Sequence, residues 1–503
     1  MKKITRIFSV VLSLMIILLS NSCQNLEEDI SGVLVADSFY QTEEDLEAAL
    51  VAVWAPLNRV GVGSHQFICA FAGGDDLTTR PDGNKAPARE VDRYLTTANN
   101  NWIFSVNWTR FYASIFAANT LLDNLPNADV DDDVKDCIEG QARFLRAYCY
   151  FHLVRLFGDI PLRLTAEFES EATRTPVPQI YDQIMEDLEF AEDNLPVSFS
   201  EPARPSKWVA KALLSQVYLT MAGWPIKDES RYADARDKSK EVIDAGVYEL
   251  MSDYGEMFKI YNKTHSELVF GFFFSFESGE TWGNRLGGKH MDPPEAGGFA
   301  DFISELGFFN TFPSGPRKDA TFLTQTSEGV PYTEWSSIYG HPTFEKYRSG
   351  TSQGGDGSDP RFSSRTIQII RYSHVLTTYA EAQAMADGTP NTEAYEAVNM
   401  IRRRAAGLDS YIPNASVDLE PGLSNTAFRD SVVQERAWEF GGEFTRWFDM
   451  TRTEIVAKVV ANKDPGDMQP LRDLTAIPKE NYYYLPIPQT EVDISDLSQM
   501  YGY

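Results

Sequence analysis

The sequence predicts an all-α architecture, a tetratricopeptide-like superhelix of stacked helix pairs with a loop-rich ligand-binding face and a few short strands. Three observations predict it. Apolar residues recur at 3-4 spacing through the first half of the chain. Two helix hairpins repeat a large, small, aromatic, then Ala pattern. One long segment abandons both patterns for glycine and scattered aromatics.

Taken in order, the chain opens on Lys2, Lys3 and Arg6, then a mostly apolar run from Ile7 to Leu19, then small polar residues and Cys23. That order is an export signal, expected over residues 1–22. Its 13 apolar-run residues fall short of the roughly 20 needed to span a bilayer. A cysteine at the end of such a signal invites lipidation, so Cys23 is the expected anchor and residues 23–40 a tether. Thr42 and Asp45 resemble a capping box and predict a helix from Glu43 to about Val60. Trp108, Tyr112, Ile115, Ala118 and Leu122 predict one buried helical face, and Ile180, Ile184, Leu188, Ala191 and Leu195 another. Between them the acidic cluster at Asp131 to Asp133 opens a helix from Val134 to Leu156, stopped by Gly158 and Pro161.

The repeats follow. Ala212 to Ala222 supplies Leu214, Ser215 and Tyr218, and Tyr232-Ala-Asp-Ala235 comes after a turn; Leu376 to Ala386 with Ala394-Tyr-Glu-Ala397 repeats the idea. Small residues there let paired helices approach closely. Leu268 to Phe274 reads as a short buried strand or core segment. From Glu277 to Gly357, 14 of the 33 glycines fall in 81 residues, so this stretch reads as loops on a scaffold. Helices resume after Tyr372, and the tail from Pro478, with Tyr482, Tyr483, Tyr484, Pro486 and Pro488, reads as an extended packing strap. The expected organisation is a helical region over 41–250, a loop-rich insert over 251–365 and a second helical region over 366–503, in one unit.

Composition and motifs exclude several functions. With 45 Lys+Arg against 73 Asp+Glu the net charge is −28, or 42 − 73 = −31 once the signal is removed, which repels phosphate backbones and speaks against nucleic acid. There is no Walker loop, and Gly61-Val-Gly63 lacks its third glycine at Gln66. The six His residues lack zinc-enzyme spacing, so no catalytic metal and no cofactor are expected. Gly350-Thr-Ser352-Gln-Gly354 spells a nucleophile elbow, but a run of Gly, Asp and Pro follows where a helix should. Cys137 and Cys149 share a predicted helix at about 18 Å separation, beyond disulfide reach. Glu435, Glu439 and Glu443 recur at i, i+4 and i+8, near a glycosidase separation. Arg436, Arg446 and Arg452 are interspersed with them, so the expectation is an ion-pair network rather than catalysis.

Several segments together resemble the SusD/RagB family of outer-membrane nutrient-binding lipoproteins, the starch-utilisation-system D type, over nearly the whole chain. They are Ala142-Arg-Phe-Leu-Arg-Ala147 running into Leu153-Val-Arg-Leu-Phe-Gly-Asp-Ile-Pro-Leu162, and Tyr181-Asp-Gln-Ile with Asp187-Leu188. Later come Tyr379-Ala-Glu-Ala382, Asn399-Met-Ile-Arg402, Glu435-Arg436 with Glu439 and Glu443, Arg446-Trp447 with Asp449, and Tyr484-Leu-Pro-Ile-Pro488. The resemblance implies a SusD-like fold and a lipid-anchored, cell-surface-facing place on the outer membrane. It also implies a SusC-like TonB-dependent transporter as partner and capture of an oligosaccharide without bond breaking. A peptide-binding variant feeding a peptide transporter is the alternative, and a secreted glycoside hydrolase the more distant one.

A sugar offers apolar C–H faces and hydroxyl edges, so its binder needs aromatic platforms beside polar groups. Trp282, Trp335 and Tyr339 in the loop-rich segment are the candidates read from the chain. Arg80 and Trp102 join them because the resemblance places binding residues in the loop from Gly73 to Asn101. Trp108, Trp208, Trp438 and Trp447 lie in helical patterns and are expected in the core.

Overall fold

The computed structural model describes residues 39–58, 73–80, 86–98, 101–167, 173–275, 285–286, 290–348, 362–467, 473–495, 497–500 and 502–503. Cys23, Trp282 and the Gly350 to Gly354 pattern lie outside them, as does the side chain of Trp102.

The first helix, α1 (Glu43–Trp54), starts as its sequence predicts. Asp45 N–H donates to the Thr42 hydroxyl while the Asp45 carboxylate accepts from Thr42 N–H at 3.0 Å. It ends earlier than the expected Val60. Pro56 has no N–H and its ring crowds the carbonyl one turn back, so the chain tightens into a single 3₁₀ turn over Ala55–Leu57. After α2 (Ala86–Asp92) come α3 (Asn101–Asn124) and α4 (Asp132–Phe157). The latter carries Asp132 and Asp133 in its first turn and stops at Gly158, whose φ of 73° no β-carbon favours. The amphipathic α5 (Val177–Asn194) follows, then α6 (Lys207–Ala222) and α7 (Arg231–Asp244).

Each helix packs on the next, α3 on α4, α4 on α5, α5 on α6 and α6 on α7, which is the stacking the Ala-rich hairpins predict. α7 then packs on α10 (Tyr372–Ala386), from which α11 (Thr392–Ala405) and α12 (Asn425–Glu439) continue the stack. Side-chain caps open the last two: Asn391 accepts from Ala394 N–H and Ser424 from Ala427 N–H. The chain between α7 and α10 leaves and rejoins the stack beside itself, because β2 (Leu268–Phe272) pairs antiparallel with β6 (Ile367–Arg371). Phe270 and Phe272 of that ladder pack against Tyr148 of α4, so the exit point is sealed into the main core. Fully burying such a ring contributes about 1.5–3 kcal/mol.

Two further ladders order the excursion: β1 (Leu77–Thr78) with β3 (Ile303–Ser304), and β4 (Phe322–Leu323) with β5 (Thr343–Phe344). Short helices α8 (Leu306–Thr311) and α9 (Pro316–Thr321) lie between β3 and β4. Beyond α12 come α13 (Arg446–Arg452) and α14 (Val456–Val460).

The tail differs from the expected continuous strap. Pro478 starts a one-turn helix, α15 (Glu480–Tyr483), and a second, α16 (Gln489–Ser495), follows. Only Tyr484 to Pro488 between them stays extended, held so by Pro486 and Pro488. There Leu485 N–H donates to the Leu156 carbonyl at 2.7 Å, and Trp224 packs on both Tyr483 and Tyr484. Cys137 and Cys149 are free thiols on α4. No helix among the described residues is long and apolar enough to cross a membrane.

Candidate functional site

The loop-rich excursion has a small core of its own, formed by Ala300, Ile303, Leu323, Trp335 and Ile338. Trp335 is its centre, 0% exposed, with its indole N–H donating to the Val330 carbonyl at 3.2 Å. This corrects the reading of Trp335 as a sugar platform. Residues distant in sequence close over the ring, and no face is left for a ligand.

Four residues on, Tyr339 is 61% exposed. Its φ of 56° is left-handed backbone that a tyrosine rarely adopts, and the neighbouring bonds account for it. Gly340 N–H donates to Trp335 O at 3.0 Å and His341 N–H to Ile338 O at 3.1 Å, so buried Ile338 and buried His341 pin the loop on either side of the ring. Nearby in the chain, Ser337 donates its hydroxyl to Glu295 at 2.8 Å. An aromatic ring held outward on a fixed loop binds a flat apolar partner with little ordering cost.

Arg80 reaches the same excursion: its guanidinium donates to the Phe299 carbonyl at 3.0 Å, and Arg89 donates in turn to the Arg80 carbonyl. Phe299 is 40% exposed and packs edge-on against His290. Sequence reading missed it. The signal was the preceding Gly297-Gly298 pair, where Gly297 has φ 77° and a β-carbon on Gly298 would lie 2.0 Å from Asp292 O. The structure therefore brings Arg80 against the excursion that carries Phe299 and the Tyr339 loop, and removes Trp335 from the surface. A separate groove of about 390 Å³, also unforeseen, is lined by Tyr112, Phe116, Arg163, Glu491 and Ile494, with Phe116 and Ile494 exposed.

The carboxylate series on α12 and just beyond it is fully committed. Glu439 accepts from Arg371 at 2.8 Å, Arg404 at 2.7 Å and Arg317 at 3.1 Å. Glu435 takes Arg317 and Arg402, and Glu443 takes Lys346 and Arg371. Glu267, just before β2, joins through Arg371 and Arg404. Burial by itself would raise the Glu439 carboxyl, but Arg404, Arg371 and Arg317 hold it down to about 2. The network is the one the spacing predicts, with different cations: Arg436 pairs with Asp449, Arg452 with Glu381 and Asp449, and Arg446 with Asp75. A general acid needs a raised pKa and access to substrate; these carboxylates are buried, and Glu439, mid-series, is driven the other way.

Comparison with known proteins gives two family matches. Residues 77–219 match a model described as starch-binding and associating with the outer membrane, and residues 317–503 match the SusD family model. A SusD-like protein P2 of Formosa agariphila is 28% identical over 500 residues, covering 93% of this chain and 94% of that protein. Among solved structures, a SusD homolog from Bacteroides thetaiotaomicron superposes with a TM-score of 0.76 at 22% identity, covering 93% of this chain and 98% of that one. A laminarin-binding SusD-like protein superposes at 0.72 and 22% identity, covering 92% and 100%.

Proposed function

Since this chain belongs to the SusD/RagB family, we propose that it is a cell-surface lipoprotein, anchored through Cys23, that captures an oligosaccharide and hands it to a TonB-dependent outer-membrane transporter. The observation that carries the binding step is Tyr339, a solvent-facing ring on a loop flanked by buried Ile338 and buried His341. Phe299 belongs to the same excursion and Arg80 reaches it from outside; they supply a second apolar face and a hydrogen-bonding group. Trp102 and Trp282 remain candidates for ligand contact. The closed ion-pair network around Glu439 supports binding without hydrolysis.

Affinity electrophoresis on a polysaccharide panel that includes laminarin and starch, run beside a peptide array, tests the reading. Retardation by at least one glycan, weakened in Tyr339→Ala and Phe299→Ala at unchanged melting temperature, is expected. Binding confined to the peptide array would favour the peptide-feeding alternative. Release of reducing sugar by the purified protein would overturn the non-enzymatic reading. The groove at Phe116 is the internal comparison: glycan binding lost in Phe116→Ala but kept in Tyr339→Ala would move the site there.

A further inference from the structure

Beneath the Tyr339 loop three residues from separate parts of the chain meet: Glu305 after β3, His341 after the loop, and Asp467 beyond α14. All three are buried, and one potential ligand atom from each lies within 4.8 Å of the other two. We infer that Glu305, His341 and Asp467 bind one divalent transition-metal cation of the zinc class.

His341 carries the argument furthest. Its Nδ1 lies 2.8 Å from the Ser304 carbonyl, which can only accept, so Nδ1 holds the proton and Nε2 of the neutral ring keeps its lone pair. That Nε2 is buried and has no hydrogen-bond partner. A histidine that donates one ring N–H to a backbone carbonyl and offers the other nitrogen has the orientation metal ligands use. Glu305 repeats the pattern: one carboxylate oxygen takes the Lys463 ammonium, while Oε2 is buried and unpartnered. Two such buried atoms left unmet are destabilising, and a shared cation satisfies both. Asp467 is aimed by three backbone N–H groups, those of Leu306, Gly307 and Asp464.

Charge points the same way. Lys463 pairs with Asp92 at 3.3 Å as well as with Glu305, and Asp467 makes no ion pair among the described residues. Two carboxylates share one ammonium and the third has none, which leaves room for a cation. Imidazole with two carboxylates suits zinc, cobalt or manganese better than calcium or magnesium, which prefer all-oxygen shells. The ion would clamp the Tyr339 loop and β3 to the turn at 464–467.

The test uses the purified chain, stripped with EDTA and titrated with Zn²⁺ or Co²⁺ alone. The expected result is about one ion retained through desalting, a melting temperature raised by a few degrees, and for Co²⁺ a visible d–d band. His341→Gln and Asp467→Asn should each lower retention at least tenfold, while His265→Gln keeps it. Melting of each variant in EDTA confirms that it folds. Wild-type protein that retains no ion and shows no cobalt band, or retention that survives both His341→Gln and Asp467→Asn, overturns the inference. The wild-type titration decides by itself if either variant fails to fold. Glycan binding is read separately, so failure here leaves the proposed function standing.

Discussion

Truncating Tyr339 removes surface that already faces water, whereas truncating Trp335 removes the centre of a small core. Tyr339→Ala is therefore expected to keep the wild-type melting temperature and to lose about 1–3 kcal/mol of glycan binding, read by gel retardation or calorimetry. Trp335→Ala is expected to cost about 3–5 kcal/mol of stability, and to lose binding only because the loop above it loosens. Glu439 gives a pH-dependent case. Its carboxyl is held at about 2 against an ordinary 4.5, so the stability it contributes is fully present above 4.5 and is lost as pH falls toward 2. Glu439→Gln should flatten the melting-temperature profile across that window. At pH 7 it should cost about 3–5 kcal/mol, because buried Arg371, Arg404 and Arg317 each lose one of their carboxylate partners.

Which elements could be read from the chain follows from where their determinants lie. α1, α4 and the hairpins of α6–α7 and α10–α11 were legible because caps, terminators and 3-4 spacing are local in sequence. Many of the charged residues in the motifs that carry the family resemblance are ion-pair residues of the scaffold. Arg146 is bidentate to Asp187, Glu381 receives Arg452, and Arg436 reaches Asp449. Such residues announce a fold and say little about its ligand. Trp335 was misread because its burial depends on Ala300, Ile303 and Leu323, tens of residues upstream or on another strand, and nothing local marks that closure. The triad of Glu305, His341 and Asp467 is invisible to spacing for the same reason. The tail was half legible: prolines announced an extended piece, while the tyrosines that bury it gave no sign of α15. Tyr483 is buried against Trp224, Trp447 and Tyr482, so Tyr483→Ala should destabilise the whole stack by about 3–5 kcal/mol in denaturant unfolding. An unchanged midpoint would mean that the strap only rests on the helices.

For the molecule as a whole, the proposed function calls for two attachments of different kinds, one to the membrane and one to a transporter. Each buried acyl methylene contributes about 0.8 kcal/mol, and one chain alone anchors only marginally, so a thioether-linked diacyl group together with an acylated amine would hold the protein firmly. The transporter contact must be broad enough to be specific and still permit opening, a combination that hinged interfaces provide. With the signal removed the chain carries 42 − 73 = −31 charges, so anionic lipid headgroups repel it and contribute nothing to retention. Cys23→Ala is therefore expected to move the protein from the detergent phase to the aqueous phase, to abolish incorporation of labelled palmitate, and to leave glycan retardation by the purified protein unchanged. Affinity purification of the tagged wild-type protein from native membranes in mild detergent should recover a large β-barrel transporter, and the Cys23→Ala protein should recover much less of it, since the anchor raises the local concentration of the two partners. Equal recovery from both would mean that the protein–protein interface alone sustains the complex. A Cys23→Ala protein still in the detergent phase would place the membrane attachment elsewhere in the chain.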